Sequence, residues 1–366
     1  MVSTINTFAQ NKVEVDGQLI GLGTYNARND AYGLVAGRYL PELKYNTTFD
    51  STKNFSIEGS ANIFGSATFF KHLSTKTDGS IEPYRLWARY TSKQFELRIG
   101  LQKIDFGSAT LLRPLQWFNQ IDPRDPLQLT NGVYGALGRY YFLNNANIWL
   151  WSLYGNEKTR GLDAIKTFDR RPEYGGRIQH PVPKGEVAIS YHHRTADASE
   201  VTGIPTLNKI PEDRYGLDGK WDIGIGTWFE ASYIHKTQDV GIFTNQTLLN
   251  IGLDYTFGIG SGLNVVLEHL LTGFDQNTIA FTNKSNTTAT MISYPLGLFD
   301  NLSTVCVYNW DANNFSITLN YQHHFKKMTG YVMAYYNPAQ QQGIQENDLV
   351  DTVSGPGIRL MMVYNH

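Results

Sequence analysis

"LLNIGLDYTF", residues 248–257, decides the fold. Leu249, Ile251, Leu253, Tyr255 and Phe257 fall on one side of an extended chain, and Asn250, Gly252, Asp254 and Thr256 on the other. Successive side chains of a strand point to opposite faces, so this stretch is a strand with one apolar and one polar face. In "QFELRIGLQK", residues 94–103, Phe95, Leu97, Ile99 and Leu101 likewise oppose Glu96, Arg98, Gly100 and Gln102. "NFSITLNYQHHF", residues 314–325, repeats the pattern, and it recurs along all 366 residues with no break in composition.

The alternation predicts about eighteen strands, with sixteen as the alternative, most of them near the ~9–11 residues that a tilted membrane strand needs. The connections sort by length. Those at 144–145, 181–183, 258–262 and 326–327 are short, whereas those at 156–172, 196–211, 272–287 and 337–355 are long and polar. Short turns on one rim and long loops on the other are the pattern of a transmembrane antiparallel barrel, with periplasmic turns and extracellular loops. The expectation is an all-β, single-barrel protein integral to a bacterial outer membrane. Residues 10–366 make the barrel, and 105–131 form an inserted loop. Residues 1–9 read as a signal-peptide remnant, because Thr7 and Ala9 sit at the −3 and −1 positions of a cleavage site ending "TFA".

Composition closes other routes. No apolar run reaches the ~18 residues of a spanning helix. Lys+Arg 31 against Asp+Glu 33 leaves a net charge of −2, so no overall field favours nucleic acid. The lone Cys306 has no disulfide partner and reads as a small strand residue. His192-His193 and His323-His324 are neighbours whose side chains point opposite ways along a strand, so neither pair chelates one ion. The sequence therefore gives no cofactor and no metal.

"LLRPLQWFNQIDPRDPLQLT", residues 111–130, breaks the alternation. Pro114, Pro123 and Pro126 stiffen it, and Leu111, Leu112, Leu115, Trp117 and Phe118 are too apolar for a free loop. A loop folded into the lumen meets both conditions. Its charged residues would then face charges on the polar side of the strands. The residues expected to line or constrict a pore are Arg85, Arg89, Glu96, Arg98, Asp105, Arg113, Trp117, Asp122, Arg124, Asp125, Arg214, Asp218, Asp254 and Glu268. Ser190 and His192 share the inward face and read as pore lining as well.

"ELRIGLQKIDFGSATLLRPLQWFNQIDPRDP", residues 96–126, resembles a segment of the alginate-export and related porin-like outer-membrane proteins. Arg98, Gly100, Gln102, Gly107, Pro114, Asp122, Pro123, Asp125 and Pro126 carry the likeness, and Phe106 stands where that pattern has Trp. The resemblance implies a wide barrel passing small solutes or an exported chain. The third-loop position also resembles the constriction loop of general diffusion porins.

The sequence thus predicts a channel for passive diffusion of small hydrophilic solutes, narrowed at its third loop. A plugged barrel serving as an accessory subunit is the second reading, and an outer-membrane hydrolase the third. His72 and Ser74 have the His-x-Ser spacing of the outer-membrane phospholipase, yet no third partner accompanies them, so no enzyme is expected. The expected partners are membrane lipid and lipopolysaccharide, small solutes, and copies of itself or other outer-membrane proteins; nucleic acid is not among them.

Overall fold

The structure, a computed structural model, describes residues 10–26, 28–50, 52–338 and 354–366; the expected signal-peptide remnant lies outside them. The chain first forms β1 (Gln10–Tyr25), β2 (Ala31–Asp50), β3 (Lys53–Phe70), β4 (Lys76–Thr91) and β5 (Phe95–Gln102). Next come β6 (Val133–Tyr141), β7 (Asn147–Leu153), β8 (Lys166–Thr167), β9 (Glu173–Val182) and β10 (Gly185–Asp197). A four-residue helix, α1 (Ser199–Thr202), precedes β11 (Ile210–Asp222), β12 (Gly226–Lys236), β13 (Asn245–Phe257), β14 (Leu263–Asp275) and β15 (Asn283–Pro295). The last four are β16 (Asp300–Asn309), β17 (Asn314–His324), β18 (Met328–Asn337) and β19 (Gly355–Asn365).

Each strand pairs antiparallel with the next, except that β7 pairs with β9 and the two-residue β8 only touches the end of β10. β19 returns to β1, from Gln18 opposite Asn365 to Tyr25 opposite Ile358, and closes an 18-strand barrel. Closure leaves no open edge along the wall, which is what a sheet in hydrocarbon requires.

The two faces follow the alternation. On β13, Ile251 is 65% exposed on the outside while Asn250 is 1% exposed within. Cys306 lies on the outward face of β16, between Val305 and Val307, which are buried inside. Two apolar side chains thus point inward here, on a face otherwise made of Asn301, Ser303 and Asn309.

Several boundaries differ from the expectation. β14 runs to Asp275 and β15 starts at Asn283, so the loop expected at 272–287 shrinks to 276–282. Polar ends of strands still pair edge to edge with their neighbours, and hydropathy does not register that pairing. The third loop, L3, spans 103–132, between β5 and β6.

An irregularity between Ser60 and Ala61 leaves Tyr84 as an extra residue in β4, because Pro83 pairs with Ala61 and Arg85 with Ser60. Such a bulge reverses which side chains point inward. Ser80, Glu82 and Tyr84 face the lumen above it, and Arg85 and Arg89 below, with Leu86 57% exposed outside.

Ile251→Arg is expected to lower the stability of the barrel in lipid vesicles by about 2–4 kcal/mol, the cost of a cation at mid-depth on the lipid face. Ile251→Leu should leave the denaturation midpoint unchanged. Equal midpoints for both variants would mean that this face does not meet lipid.

Candidate functional site

L3 is drawn into the barrel by three apolar seams. Ile104, Phe106, Leu115, Trp117 and Phe118 pack on Val133, Leu137, Trp151 and Leu153 of β6 and β7. Ala109, Leu111 and Leu112 meet Trp228, Val266, Ala289, Val305 and Val307 across the lumen. Leu127 and Leu129 pack on Ile20, Leu22, Met333 and Met361, near the closing strands. Each fully buried large side chain is worth about 1.5–3 kcal/mol, so the loop is held at three sectors of the wall.

Apolar contact alone would leave the loop's peptide groups unsatisfied. Wall carboxylates complete the seat. Glu268 accepts the backbone N–H of Thr110 (2.7 Å), Leu111 (3.1 Å) and Leu112 (2.6 Å), together with the indole N–H of Trp228. Glu230 accepts those of Ala109 (2.7 Å) and Leu115 (3.1 Å). Asn250 donates to the Leu112 carbonyl, and Trp117 donates its indole N–H to Ser232. Hydrogen bonds to a charged group are the stronger kind, so these two glutamates set where residues 108–115 lie.

The fourth loop, residues 154–172, lies against L3. Gly161 donates its N–H to the Asn119 carbonyl, and a Cβ there would stand 1.8 Å from the Gln116 carbonyl oxygen, so only glycine fits this contact. Asp163 bridges Arg194 (3.0 Å) and Arg214 (2.9 Å), both of which also bind Glu212, which Lys236 joins at 3.1 Å. Arg160 pairs with Glu173 at 2.6 Å. Trp151 donates to Nδ1 of His192, so the ring proton sits on Nε2, facing Glu173. These groups are buried under the loops, so His192 and Ser190 do not line an aqueous pore as expected.

The expected site residues divide accordingly. Arg85, Trp117, Asp122, Arg124, Asp125, Arg214, Asp218 and Glu268 are all buried. Asp122 and Arg124 pair with each other at 2.6 Å, and Asp125 accepts the N–H groups of Leu127 and Leu129. Asp218 binds Arg177 at 2.6 Å and receives the Ser108 hydroxyl. Asp105 and Arg113 pair within L3 at 2.6 Å. Burial pushes the Asp105 carboxyl up, but Arg113 and Lys103 beside it hold it below the usual carboxylate range. Asp254 sits half-buried on the inner face of β13. Glu96 lies between Arg98 (3.1 Å) and Arg139 (3.6 Å), and Arg89 is directly opposite Arg98.

Open space borders L3 on the side of β2, β3 and β4. A cavity of about 440 Å³ lies between β2, β3 and β4 and the two loops. Arg38, Leu40, Asn62, Ser80, Glu82 and Tyr84 line it from the wall, and Gln120, Leu129, Thr130, Asn131, Lys158 and Thr159 from the loops. Arg85 stacks on Tyr84 at 4.0 Å and donates to the Thr130 carbonyl, tying L3 to the edge of this space. Arg38, Glu82 and Lys158 are the charged residues that sequence reading missed. Alternation placed Arg38 and Glu82 on strands, but only the path of the loops shows which part of the lumen stays open.

A closed barrel with an inserted third loop is the fold of the outer-membrane porins, and solved porin structures match this chain from end to end. Acinetobacter baumannii OccAB1 gives a TM-score of 0.58 at 8% identity, covering 100% of this chain and 99% of its own. Pseudomonas aeruginosa OccD3 (OpdP) gives 0.59 at 12%, covering 96% and 91%, and Pseudomonas aeruginosa OccK7 (OpdD) gives 0.58 at 10%, covering 98% and 99%. At such identities the likeness establishes the fold. No protein-family model matches the sequence, and no curated protein matches it.

Glu268→Gln turns an acceptor of several N–H groups into a side chain that is half donor. The variant should lose about 2–4 kcal/mol. Hydrogen exchange at Thr110, Leu111 and Leu112 should accelerate while that of the wall strands holds. Unchanged exchange at those amides would remove Glu268 as the seat of the loop.

Proposed function

We propose that the protein is an integral outer-membrane channel for passive diffusion of small hydrophilic solutes, and that L3 is its constriction. The observation that carries this reading is the polar cavity between β2–β4 and the loops, inside a barrel closed to lipid. Amides, hydroxyls and both signs of charge line it, which suits hydrated solutes. Arg89, Glu96 and Arg98 stand on the wall near this space and are the expected residues best placed to meet a solute. The buried ones, Arg85, Trp117, Asp122, Arg124, Asp125, Arg214, Asp218 and Glu268, act in this reading by fixing the loop.

Transport of this kind involves no reaction, so the protein is read as a channel and not an enzyme. Its surroundings are membrane lipid and lipopolysaccharide, and association with further copies or with other membrane proteins is compatible with the barrel. The likeness of residues 96–126 to alginate-export proteins extends the reading to acidic sugars, though the loops leave room for a small solute more readily than for a polymer.

Burial of so many lumenal groups, His192, Glu212 and Arg214 among them, favours a second reading in which the loops plug the barrel and the protein is an accessory subunit.

Single-channel conductance in planar bilayers separates the two. The intact protein is expected to conduct steadily, and replacement of residues 109–128 by a short Gly/Ser linker should raise conductance severalfold, with circular dichroism confirming the barrel. Silence from the intact protein together with conduction by the replaced one would establish the plug.

A further inference from the structure

The fourth loop reaches across the open cavity at one short span. Asn156 is fixed to β6, accepting the Tyr134 N–H at 2.8 Å and donating back to its carbonyl. Arg160 is fixed by Glu173 and by the Thr167 hydroxyl. Between these two buried anchors, residues 157–159 are exposed. From the middle of the span, Lys158 extends to Glu82 on the inner face of β4, and its Nζ lies 3.2 Å from each carboxylate oxygen. Both residues line the same cavity. The side chains are 67% and 46% exposed, unlike the buried pairs that Arg160 makes with Glu173 and Asp163 with Arg194 and Arg214.

We propose that Lys158 and Glu82 form an ion-pair latch across the passage, closed at low ionic strength and released as salt screens it. This rests on the channel reading above. A pair bathed in water on both sides is held by little more than Coulomb attraction and is sensitive to screening. The anchors at Asn156 and Arg160 keep Lys158 in position to re-form the contact after each opening. The long lysine arm supplies the movement, so the latch opens without disturbing the seat of L3.

The latch is tested on the intact barrel in two ways. A water-soluble carbodiimide, which joins an amine to a carboxylate it touches, should link Lys158 to Glu82 at low salt, with the joined peptides found by mass spectrometry. The linked protein should conduct weakly at every salt concentration. Conductance relative to the bulk solution should rise about twofold for the unmodified protein between ~0.01 M and ~1 M salt, as the screening length falls from about 30 Å to about 3 Å. Lys158→Gln and Glu82→Gln should both abolish that rise, and the exchange Lys158→Glu with Glu82→Lys should restore it.

The two single variants change the local charge in opposite directions. A plain field effect would therefore move their conductance in opposite directions, whereas loss of a latch moves both the same way. Opposite shifts, or absence of the cross-link, would overturn the latch while leaving the channel standing. If none of the proteins conducts, the channel reading fails and takes the gate with it, even where the cross-link forms.

Discussion

A peptide group in hydrocarbon has no water to bond with, and the rest of this molecule follows from that constraint. Each strand must find its N–H and C=O partners in its neighbours, and the first strand must meet the last, as β1 meets β19. Once the sheet is closed, every side chain is committed to lipid or to the lumen, with no third surface along the wall. The outer face becomes a belt that includes Ile189, Leu217, Ile251 and Leu360, and the polar residues of the chain are gathered inside. A wide lumen then has to be managed, and this chain manages it with two loops.

The loops are held by pairing buried charge with charge or with peptide dipoles. Isolated buried charges are costly, and these carry partners: Asp163 and Glu212 with Arg194 and Arg214, Asp218 with Arg177. Glu268 is different, because its closest partners are backbone and side-chain N–H groups. A carboxylate surrounded by peptide N–H groups fixes backbone position independently of the side chains that the loop carries. The apolar seams supply adhesion on three sides, and Glu230 and Glu268 supply register.

This packing makes the interior asymmetric. Beneath β9–β12 the lumen is filled by ion pairs and aromatic rings, with Phe118 5.0 Å from His192 and 5.4 Å from Trp151. Beside β2–β4 it stays open, and there the Tyr84 bulge brings Tyr84 and Arg85 to the same inner surface. The open side is bounded by a firmly seated loop on one flank and an exposed ion pair on the other. Buried and exposed contacts therefore meet around one space.

The sequence by itself determined the class of fold. Alternation in stretches such as 248–257 marks strands with one lipid face, and unequal loop lengths assign the rims, because both are local consequences of the strand repeat and of the membrane. The prolines and apolar residues of 111–130 also disclosed that this loop must pack somewhere. Tertiary structure alone decided which inward residues touch water. Arg214 and Arg89 read alike in the sequence as cations on a polar face, yet Arg214 is sealed beneath the fourth loop and Arg89 stands on the wall that borders the open side. That difference depends on contacts such as Asp163 with Arg214, 51 residues apart, and Ala109 with Glu230, 121 apart. Periodicity reports the face on which a side chain lies; what comes to cover that face is settled by distant parts of the chain.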